Sequence, residues 1–469
     1  MGKRKESPAH SRQPINGETL RLAVSWAIEE KIFADVKFHG NVTWKASDLI
    51  LLVMVWMWSE QGTLTGAFKD ALHWSRRVLG RVAVTTYQGM TRALISWTAT
   101  LLPVVQEQLR SLMGRQAGKH LRVGRWLALA VDGSRIGAPR TRENEKAFCA
   151  PNYGHGKTAK YRKKTGKGGR KRKTKKKKKQ HPVGPQLWLT MLWHLGLHMP
   201  WGWKIGPSYA SERDHFRALL DTHKFPKNTL FCADAGFTGY DLWKAMIDAG
   251  HAFLIRVGSN VRLLRDLGYV RERSGLVYCW PDTAARKKQP PLVLRLIKLQ
   301  VGRCSMWLLT NVLAEKHLSD ANAAQLYRLR WGVELQFRSV KQTFGRRKLR
   351  SRTPDAAKVE LDWSLMGLWL IQLFAVKEQV EVGLVPDRCS VGLAVQVIRE
   401  MLRRWSERPE VSFAENLRGA TKDGYKRKRP KKGRYQPKYK DKPSAGKPKI
   451  QKATRQHKLR LESYLEKAA

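Results

Sequence analysis

The spacing of apolar and polar residues predicts a helical first part of the chain, up to about residue 118. The predicted helices lie at Leu20–Ile28, Trp44–Ser59, Phe68–Leu79 and from the N-cap residues Thr85 and Thr86 to about Met113. Arg and Lys residues are interspersed among the apolar positions, which favours a DNA-binding head. A helical packing domain that makes no DNA contact fits the same pattern.

From residue 126 onward, short apolar runs bounded by turn residues indicate strands that alternate with helices. The predicted strands are Trp126–Val131, Pro185–His194, Met199–Ile205, Thr229–Ala233 and Ala252–Val257, and the predicted helices are Glu212–His223 and Tyr240–Ala249. The second and third strands form a hairpin, and the first ends in the turn Asp132-Gly133-Ser134. This order fits an α/β fold with a ribonuclease-H-like mixed-sheet core, and residues 258–310 predict further antiparallel strands.

Helices return after residue 310. They are predicted at about Asp320–Phe344 with Ser319 as N-cap and Gly345 as the stop, from Thr353-Pro354 onward, and at Ser390–Trp405. The apolar stretch Trp363–Val376 contains Ser364, Gly367 and Gln372, so we expect a buried helix and not a membrane span.

These patterns divide the chain into five predicted segments. They are an N-terminal helical DNA-end-binding domain (1–118), the first part of the core with a Lys-rich loop at 157–179 (119–257), a β-rich insertion (258–310), the second part of the core with a catalytic Glu helix and C-terminal helices (311–410), and a basic, disordered tail (411–469).

The net charge changes the picture from a generic α/β protein to one that binds a polyanion. The chain of 469 residues carries 90 Lys and Arg against 38 Asp and Glu, a net charge of +52. Fifteen basic residues and no acid lie in 157–179, and 18 basic against 4 acidic residues lie in 421–469. Such an excess points to nucleic acid, because contacts to phosphates release counterions.

A membrane or secreted protein is not expected from the sequence. No apolar segment follows the basic first residues, and the longest uninterrupted apolar run, Leu49–Trp58, is too short to cross a bilayer. With 42% hydrophobic residues and 18 Trp, the chain has enough apolar material for a sizeable core. We therefore predict a cytoplasmic protein that acts on nucleic acid.

Three carboxylates on separate elements are the candidate chemistry. Asp132 and Asp234 each follow a buried strand, although an Asp that opens a turn is more often an Asx-turn or a helix cap. Glu334 lies on the predicted helix 320–344. Three such groups could bind two divalent cations such as Mg²⁺, which would activate the attacking oxygen and stabilise the leaving oxygen during displacement at phosphorus.

The predicted helix at 320–344 also presents a polar stripe. At 100° per residue, Tyr327, Arg330, Glu334 and Lys341 fall within an arc of about 60°, beside a separate apolar stripe. Tyr327, Arg330 and Lys341 would contact DNA phosphates next to the carboxylates. A solvated amphipathic helix with internal charge pairs fits the helix alone equally well.

With both Asp motifs in order before it, the spacing Tyr-x2-Arg-x3-Glu-x6-Lys resembles the DDE transposases of the fourth insertion-sequence family. The resemblance covers about residues 80–400 and implies that Asp132 ("VDGS"), Asp234 ("ADAGF") and Glu334 are the catalytic residues and metal ligands. It also implies a β-rich insertion between Asp234 and Glu334. Ala235 departs from the pattern, since many relatives carry Arg there.

Further expectations follow from the resemblance. Two Mg²⁺ ions, for which Mn²⁺ substitutes, would support hydrolysis and strand transfer at terminal inverted repeats of double-stranded DNA, through a DNA hairpin, before transfer to target DNA. The working form would be a homodimer in a synaptic complex, associated with a bacterial nucleoid. Trp307, in "MWLLTN", would stack on a base flipped out of the DNA end, although a Trp in the core of a strand is the simpler interpretation.

Two other functions share some of these features. A ribonuclease-H-like nuclease would need the three acids but not the Tyr-Arg-Lys stripe or an end-binding head. A non-catalytic basic DNA-binding protein would have no use for three converging carboxylates.

Overall fold

The computed structural model describes residues 13–151, 184–301, 304–424 and 446–466. The predicted Lys-rich loop at 157–179 lies outside these residues. The described helices are α1 Asn16–Ala27, α2 Ala46–Trp58, α3 Leu64–Val78, α4 Tyr87–Ala117, α5 Arg142–Phe148, α6 Glu212–Thr222, α7 Tyr240–Asp248, α8 Asp282–Arg286, α9 Asp320–Leu329, α10 Gly332–Arg338, α11 Pro354–Glu381, α12 Val391–Arg403, α13 Phe413–Gly419 and α14 Arg455–Leu465.

All the described strands belong to a single mixed sheet. They are β1 Leu127–Gly137, β2 Gln186–His194, β3 Met199–Pro207, β4 Thr229–Ala233, β5 Ala252–Val257, β6 Arg262–Arg265, β7 Leu276–Cys279, β8 Leu292–Val301, β9 Cys304–Thr310 and β10 Lys449–Lys452. Their order across the sheet is β10-β6-β7-β8-β9-β5-β4-β1-β2-β3.

The half of the sheet from β3 to β5 has the predicted topology. Strand β2 is antiparallel to both β1 and β3, whereas β4 is parallel to β1 and β5 is parallel to β4. This is the order and direction of strands in a ribonuclease-H-like core, so the predicted fold class is confirmed. Strands β9, β8, β7 and β6 extend the sheet from β5 in antiparallel fashion.

The N-terminal helices pack against the long helix α11 and share its hydrophobic core. Helix α2 is apolar around its whole circumference, as expected for a helix enclosed on all sides. The indole of Trp58 donates to the Gly367 carbonyl at 3.1 Å, and the indole of Trp363 donates to Thr98 Oγ1 at 2.9 Å. Residues 16–117 therefore pack against helix α11 in the later part of the chain. The DNA-end-binding role of these helices stays a prediction.

Helix α11 is the buried helix that the sequence predicts. Among the described residues it is the one helix long and apolar enough to cross a membrane, and 94% of its most apolar window is buried inside the protein. Its fully buried Glu360 carboxylate accepts the main-chain N–H groups of Arg350 (3.0 Å) and Ser351 (2.8 Å) and lies 3.8 Å from the Arg346 guanidinium. These contacts fasten the segment that follows α10 to α11.

The C-terminal segment differs from the disordered tail that its charge predicts. Within the described residues, β10 pairs in parallel with β6, and α14 buries Leu461 and forms an ion pair between Arg460 and Asp282. Main-chain hydrogen bonds to an open strand edge do not depend on side-chain polarity, and one buried leucine suffices to seat a short helix. The ordered elements α13, β10 and α14 therefore lie within the segment that the positive charge predicted to be disordered.

Candidate active site

Asp132 lies within β1 and not after it, so the predicted turn at residues 132–134 is wrong. The two strands next to β1, which are β4 and β2, pair with different lengths of it. Its parallel pairing with β4 ends at Val131↔Ala233, whereas its antiparallel pairing with β2 continues through Gly137↔Gln186. Asp132 therefore follows the last parallel pair while its main chain stays extended.

Asp234 follows directly after β4, at the same edge. Because Val131 and Ala233 are partners in the β1–β4 ladder, the two aspartates are neighbours across adjacent strands. Asp132 Oδ1 accepts the Gly133 N–H at 2.8 Å, and Asp234 Oδ1 accepts the Gly236 N–H at 2.7 Å. Burial, aided by the charges of Asp234 and Glu334, raises the pKa of Asp132 to about 6.

Glu334 lies on a helical segment that is interrupted, unlike the single helix that the sequence predicts. Helix α9 ends at Leu329, α10 begins at Gly332, and a π-helical turn follows at Ser339–Thr343. A Cβ on Gly332 would overlap the Trp193 ring, so the segment lies directly against β2. No proline marks the interruption, which is why the apolar periodicity did not reveal it.

Arg330 connects the first and third predicted carboxylates. Its guanidinium lies 3.5 Å from Asp132 Oδ2 and 3.9 Å from Glu334 Oε1, and 5% of its side chain is exposed. It also lies over the rings of Tyr327 and Trp331, at 5.4 and 5.1 Å. Its buried Nε has no hydrogen-bond partner among the described residues. Arg330 is thus the positive charge that balances the acids in this structure.

The other two members of the polar stripe lie at the same edge. Lys341 Nζ donates to Ser134 Oγ at 2.7 Å, two residues beyond Asp132, and burial lowers the pKa of Lys341. Tyr327 is buried, with 3% of its surface exposed, and burial raises the pKa of its hydroxyl. The structure therefore gives each of these side chains a protein contact, and their predicted DNA contacts stay predictions.

Trp307 lies on β9, opposite Val257 of β5. Its ring is partly buried and packs against the core, which agrees in part with the simpler interpretation. Two ammonium groups flank it, Lys298 Nζ at 5.8 Å and Lys447 Nζ at 5.5 Å from the ring centroid. Neither interpretation of Trp307 is decided by this placement.

One site residue, Glu212, was missed by the sequence analysis. It is the first residue of α6, the helix that connects β3 to β4. Burial and the charges of Asp132 and Asp234 raise the pKa of Glu212 to about 7. The available signal was position: Glu212 begins the helix that follows β3, and Asp234 likewise stands just after a strand, β4.

The chemical type of these side chains suits a hard divalent cation. They are oxygen donors, which Mg²⁺ and similar ions prefer, and the lack of a side chain at Gly133 and Gly236 lets the carboxylate oxygens of Glu212 and Asp234 approach the main chain there. The buried, unpartnered Nε of Arg330 also marks the cluster as a place built around a positive charge. In the described residues no three acidic, His or Cys side chains are close enough together to surround one ion, and the Arg330 guanidinium lies between Asp132 and Glu334.

Comparisons with known proteins indicate the family of the chain. The sequence model of the family described as "Transposase DDE domain" matches residues 127–370, which contain all three predicted acids. The transposase InsG for insertion sequence element IS4 of Escherichia coli (strain K12) is 27% identical over 287 residues, 58% of each chain. The cryo-EM structure of the piggyBac transposase synaptic complex with hairpin DNA is similar over 87% of this chain and 84% of its own, at 12% identity and a TM-score of 0.38.

The chain belongs to the family of transposases with a DDE domain, because the family match covers more than half of its residues. The likeness to the IS4 transposase confirms the resemblance to the fourth insertion-sequence family. Divalent metal ions serve this family in general. The chain spans somewhat less than two thirds of the length of the IS4 relative.

Proposed function

We propose that this protein is a DNA transposase that hydrolyses phosphodiester bonds and transfers strands at the terminal inverted repeats of its element. One observation carries the proposal: Asp132 and Asp234 are neighbours on adjacent strands, and one guanidinium, that of Arg330, lies 3.5 Å from Asp132 and 3.9 Å from Glu334. Three carboxylates from separate elements beside a strongly basic surface suit phosphoryl transfer on DNA and have no role in binding alone.

Asp132, Asp234 and Glu334 would hold two divalent ions, Mg²⁺ or, in its place, Mn²⁺. When bound, the ions would polarise the phosphate, activate the attacking oxygen and stabilise the leaving oxygen. Asp132, which lies next to Asp234 on the adjacent strand and shares Arg330 with Glu334, would contribute its carboxylate to this site. Its raised pKa, about 6, means that it releases a proton before or as an ion binds near neutral pH.

The basic members of the site would position the DNA backbone. Lys341, which donates to Ser134 on β1, would contact a phosphate next to the scissile bond. Arg330 would exchange one of its two carboxylates for a phosphate when the acids receive ions, with the Tyr327 ring supporting its guanidinium. Charge neutrality favours this exchange, because an ion replaces the positive charge that Arg330 now provides.

The DNA end would also meet the N-terminal helices. A groove of about 570 Å³ at the starts of α3, α4 and α11 contains Arg92, Arg350 and Arg352 and no acidic residue. Phosphates suit such a groove, since arginines bind them with paired hydrogen bonds. Trp307 with its two lysines is suited to stack on an extruded base, as expected if cleavage proceeds through a DNA hairpin.

The assembly and setting of the reaction are part of the proposal. A homodimer would pair two transposon ends in a synaptic complex, and the protein would act at a bacterial nucleoid. Its large positive charge supports retention on bulk DNA between encounters with a transposon end.

A supercoiled plasmid with the inverted repeats that flank this gene tests the proposal. With Mg²⁺, we expect excised fragments with hairpin ends and strand-transfer products. Glu334→Gln should abolish both, whereas Asp214→Asn, an exposed first-turn acid of α6, should leave both unchanged. Nicking without transfer would favour a nuclease, and unchanged products from Glu334→Gln would refute the catalytic assignment.

A further inference from the structure

Glu212 lies closer to the two aspartates than its distance along the chain suggests. A Cβ on Gly133, the residue after Asp132, would overlap Glu212 Oε1. A Cβ on Gly236 would lie 3.6 Å from Glu212 Oε2 and 2.9 Å from Asp234 Oδ1. The Glu212 carboxylate therefore reaches over the residues that follow both aspartates.

The two glycines provide the room for this approach. Neither Gly133 nor Gly236 has a positive φ, so backbone conformation does not require glycine at either position. What distinguishes them is space, since at Gly133 a methyl group would displace the Glu212 carboxylate. The lack of a side chain at Gly133 thus leaves room for the Glu212 carboxylate next to Asp132 and Asp234.

Positive charge is distributed unevenly around these acids. Arg330 contacts Asp132 and Glu334, on the helix side of the cluster. Within the described ranges, neither Asp234 nor Glu212 has a Lys, Arg or His nitrogen within 4 Å. Arg135, whose charge lowers the pKa of Glu212, lies over the Trp188 ring at 4.8 Å. The sheet side of the cluster therefore holds carboxylates without a paired cation.

We propose that Glu212 is a fourth carboxylate of the metal site, and that it holds a divalent ion together with Asp132 and Asp234. The inference rests on the proposed function, because it assigns Glu212 to the same ions. Its competitor is a purely structural role, in which Glu212 favours the start of α6 through the helix dipole alone. Asp214, two residues later in the same first turn, is the matched control for that role.

Binding of Mn²⁺ to the full chain, followed by electron paramagnetic resonance and by calorimetry, tests the assignment without any DNA reaction. Glu212→Gln should weaken Mn²⁺ binding roughly tenfold or more, as loss of a group that supports a metal typically does. Asp214→Asn should bind as the unmodified protein does. Equal affinities for Glu212→Gln and the unmodified protein would overturn the proposal.

A Glu212→Cys variant adds a readout that a structural role would not produce. Because a thiolate favours softer ions than a carboxylate does, this variant should bind Cd²⁺ with a new ultraviolet charge-transfer band and lose affinity for Mg²⁺. The four described cysteines are buried, and the unmodified protein measures the background of all five. The absence of any new band would contradict Glu212 as a ligand.

Different results would refute the metal site and the role of Glu212 in it. If Asp132→Asn and Asp234→Asn bind Mn²⁺ as well as the unmodified protein does, the metal site itself is refuted, and the proposed function with it. If those variants lose the ion while Glu212→Gln and Glu212→Cys behave like the unmodified protein, only the assignment of Glu212 is refuted.

Discussion

Replacing Asp132 by Asn should make the metal-free protein more stable at neutral and alkaline pH. The fold raises the pKa of Asp132 from 3.8 to about 6, so keeping it ionised costs free energy. At 1.36 kcal/mol per pH unit, the cost reaches about 3 kcal/mol above pH 7. Asn can keep the hydrogen bond from Gly133 without carrying the charge. The attraction of Arg330 to the ionised carboxylate is already contained in this pKa, because it offsets part of the effect of burial.

The sign of the pH dependence follows from the raised pKa. The stability contributed by protonated Asp132 is fully present below about pH 4 and is lost as the pH rises through about 6. Urea unfolding with a chelator present should therefore show equal stabilities for the two proteins near pH 4 and a growing advantage for Asp132→Asn toward pH 8. Added Mg²⁺ should stabilise the unmodified protein and leave the variant unchanged.

A variant that is less stable than the unmodified protein at pH 8 in chelator would refute this reasoning. It would mean that the attraction of Arg330 outweighs burial and carboxylate repulsion at Asp132. Asp214→Asn, which removes an exposed acid, gives the baseline for loss of one negative charge.

Four other outcomes are expected. Glu360→Ala should cost about 3 kcal/mol or more in urea unfolding, because it leaves a buried guanidinium and two N–H groups without their partner; a loss below 1 kcal/mol would contradict the anchoring role. Gly332→Ala should displace Glu334, because its methyl group would overlap the Trp193 ring. The cleavage rate should fall by a larger free-energy equivalent than the free energy of unfolding does, which cleavage kinetics and urea unfolding of the same variant would measure. Trp307→Ala should weaken binding to DNA with an unpaired end base by about 1–3 kcal/mol, and Trp307→Phe should restore most of it, whereas equal loss on fully paired DNA would argue against stacking. Replacing the fifteen basic residues of 157–179 by Gln should flatten the salt dependence of DNA affinity and leave cleavage chemistry intact, and an unchanged slope would show that the tract does not touch DNA.

Strand and helix positions in the core were predictable because hydrophobic periodicity determines them. Thr229–Ala233 and Ala252–Val257 lie where their apolar runs begin and end, and the N-cap residues Thr86 and Ser319 begin α4 and α9 as expected. Such local signals do not report which neighbour a strand has. The end of β1 was misjudged for that reason, since β2 extends it past Asp132.

Only those parts of the candidate site that show in the order and spacing of residues along the chain could be predicted from the sequence. The order of Asp132, Asp234 and Glu334 is visible in the sequence, but the contact of Arg330 with two of them arises from the interruption between α9 and α10. Glu212 carries no motif, and its proximity to the aspartates depends on two glycines distant in sequence. Contacts of this kind require the packed structure.

The parallel pairing of β10 with β6 has a consequence for shortening the chain. A truncation that removes the basic C-terminal residues for easier purification would also remove β10 and leave the N–H and C=O groups of β6 exposed along an open edge. Uncovered strand edges recruit other chains, so such a fragment would be prone to aggregate. Solubility would be better improved by neutral substitutions within 425–445, which keep the last strand and helix attached.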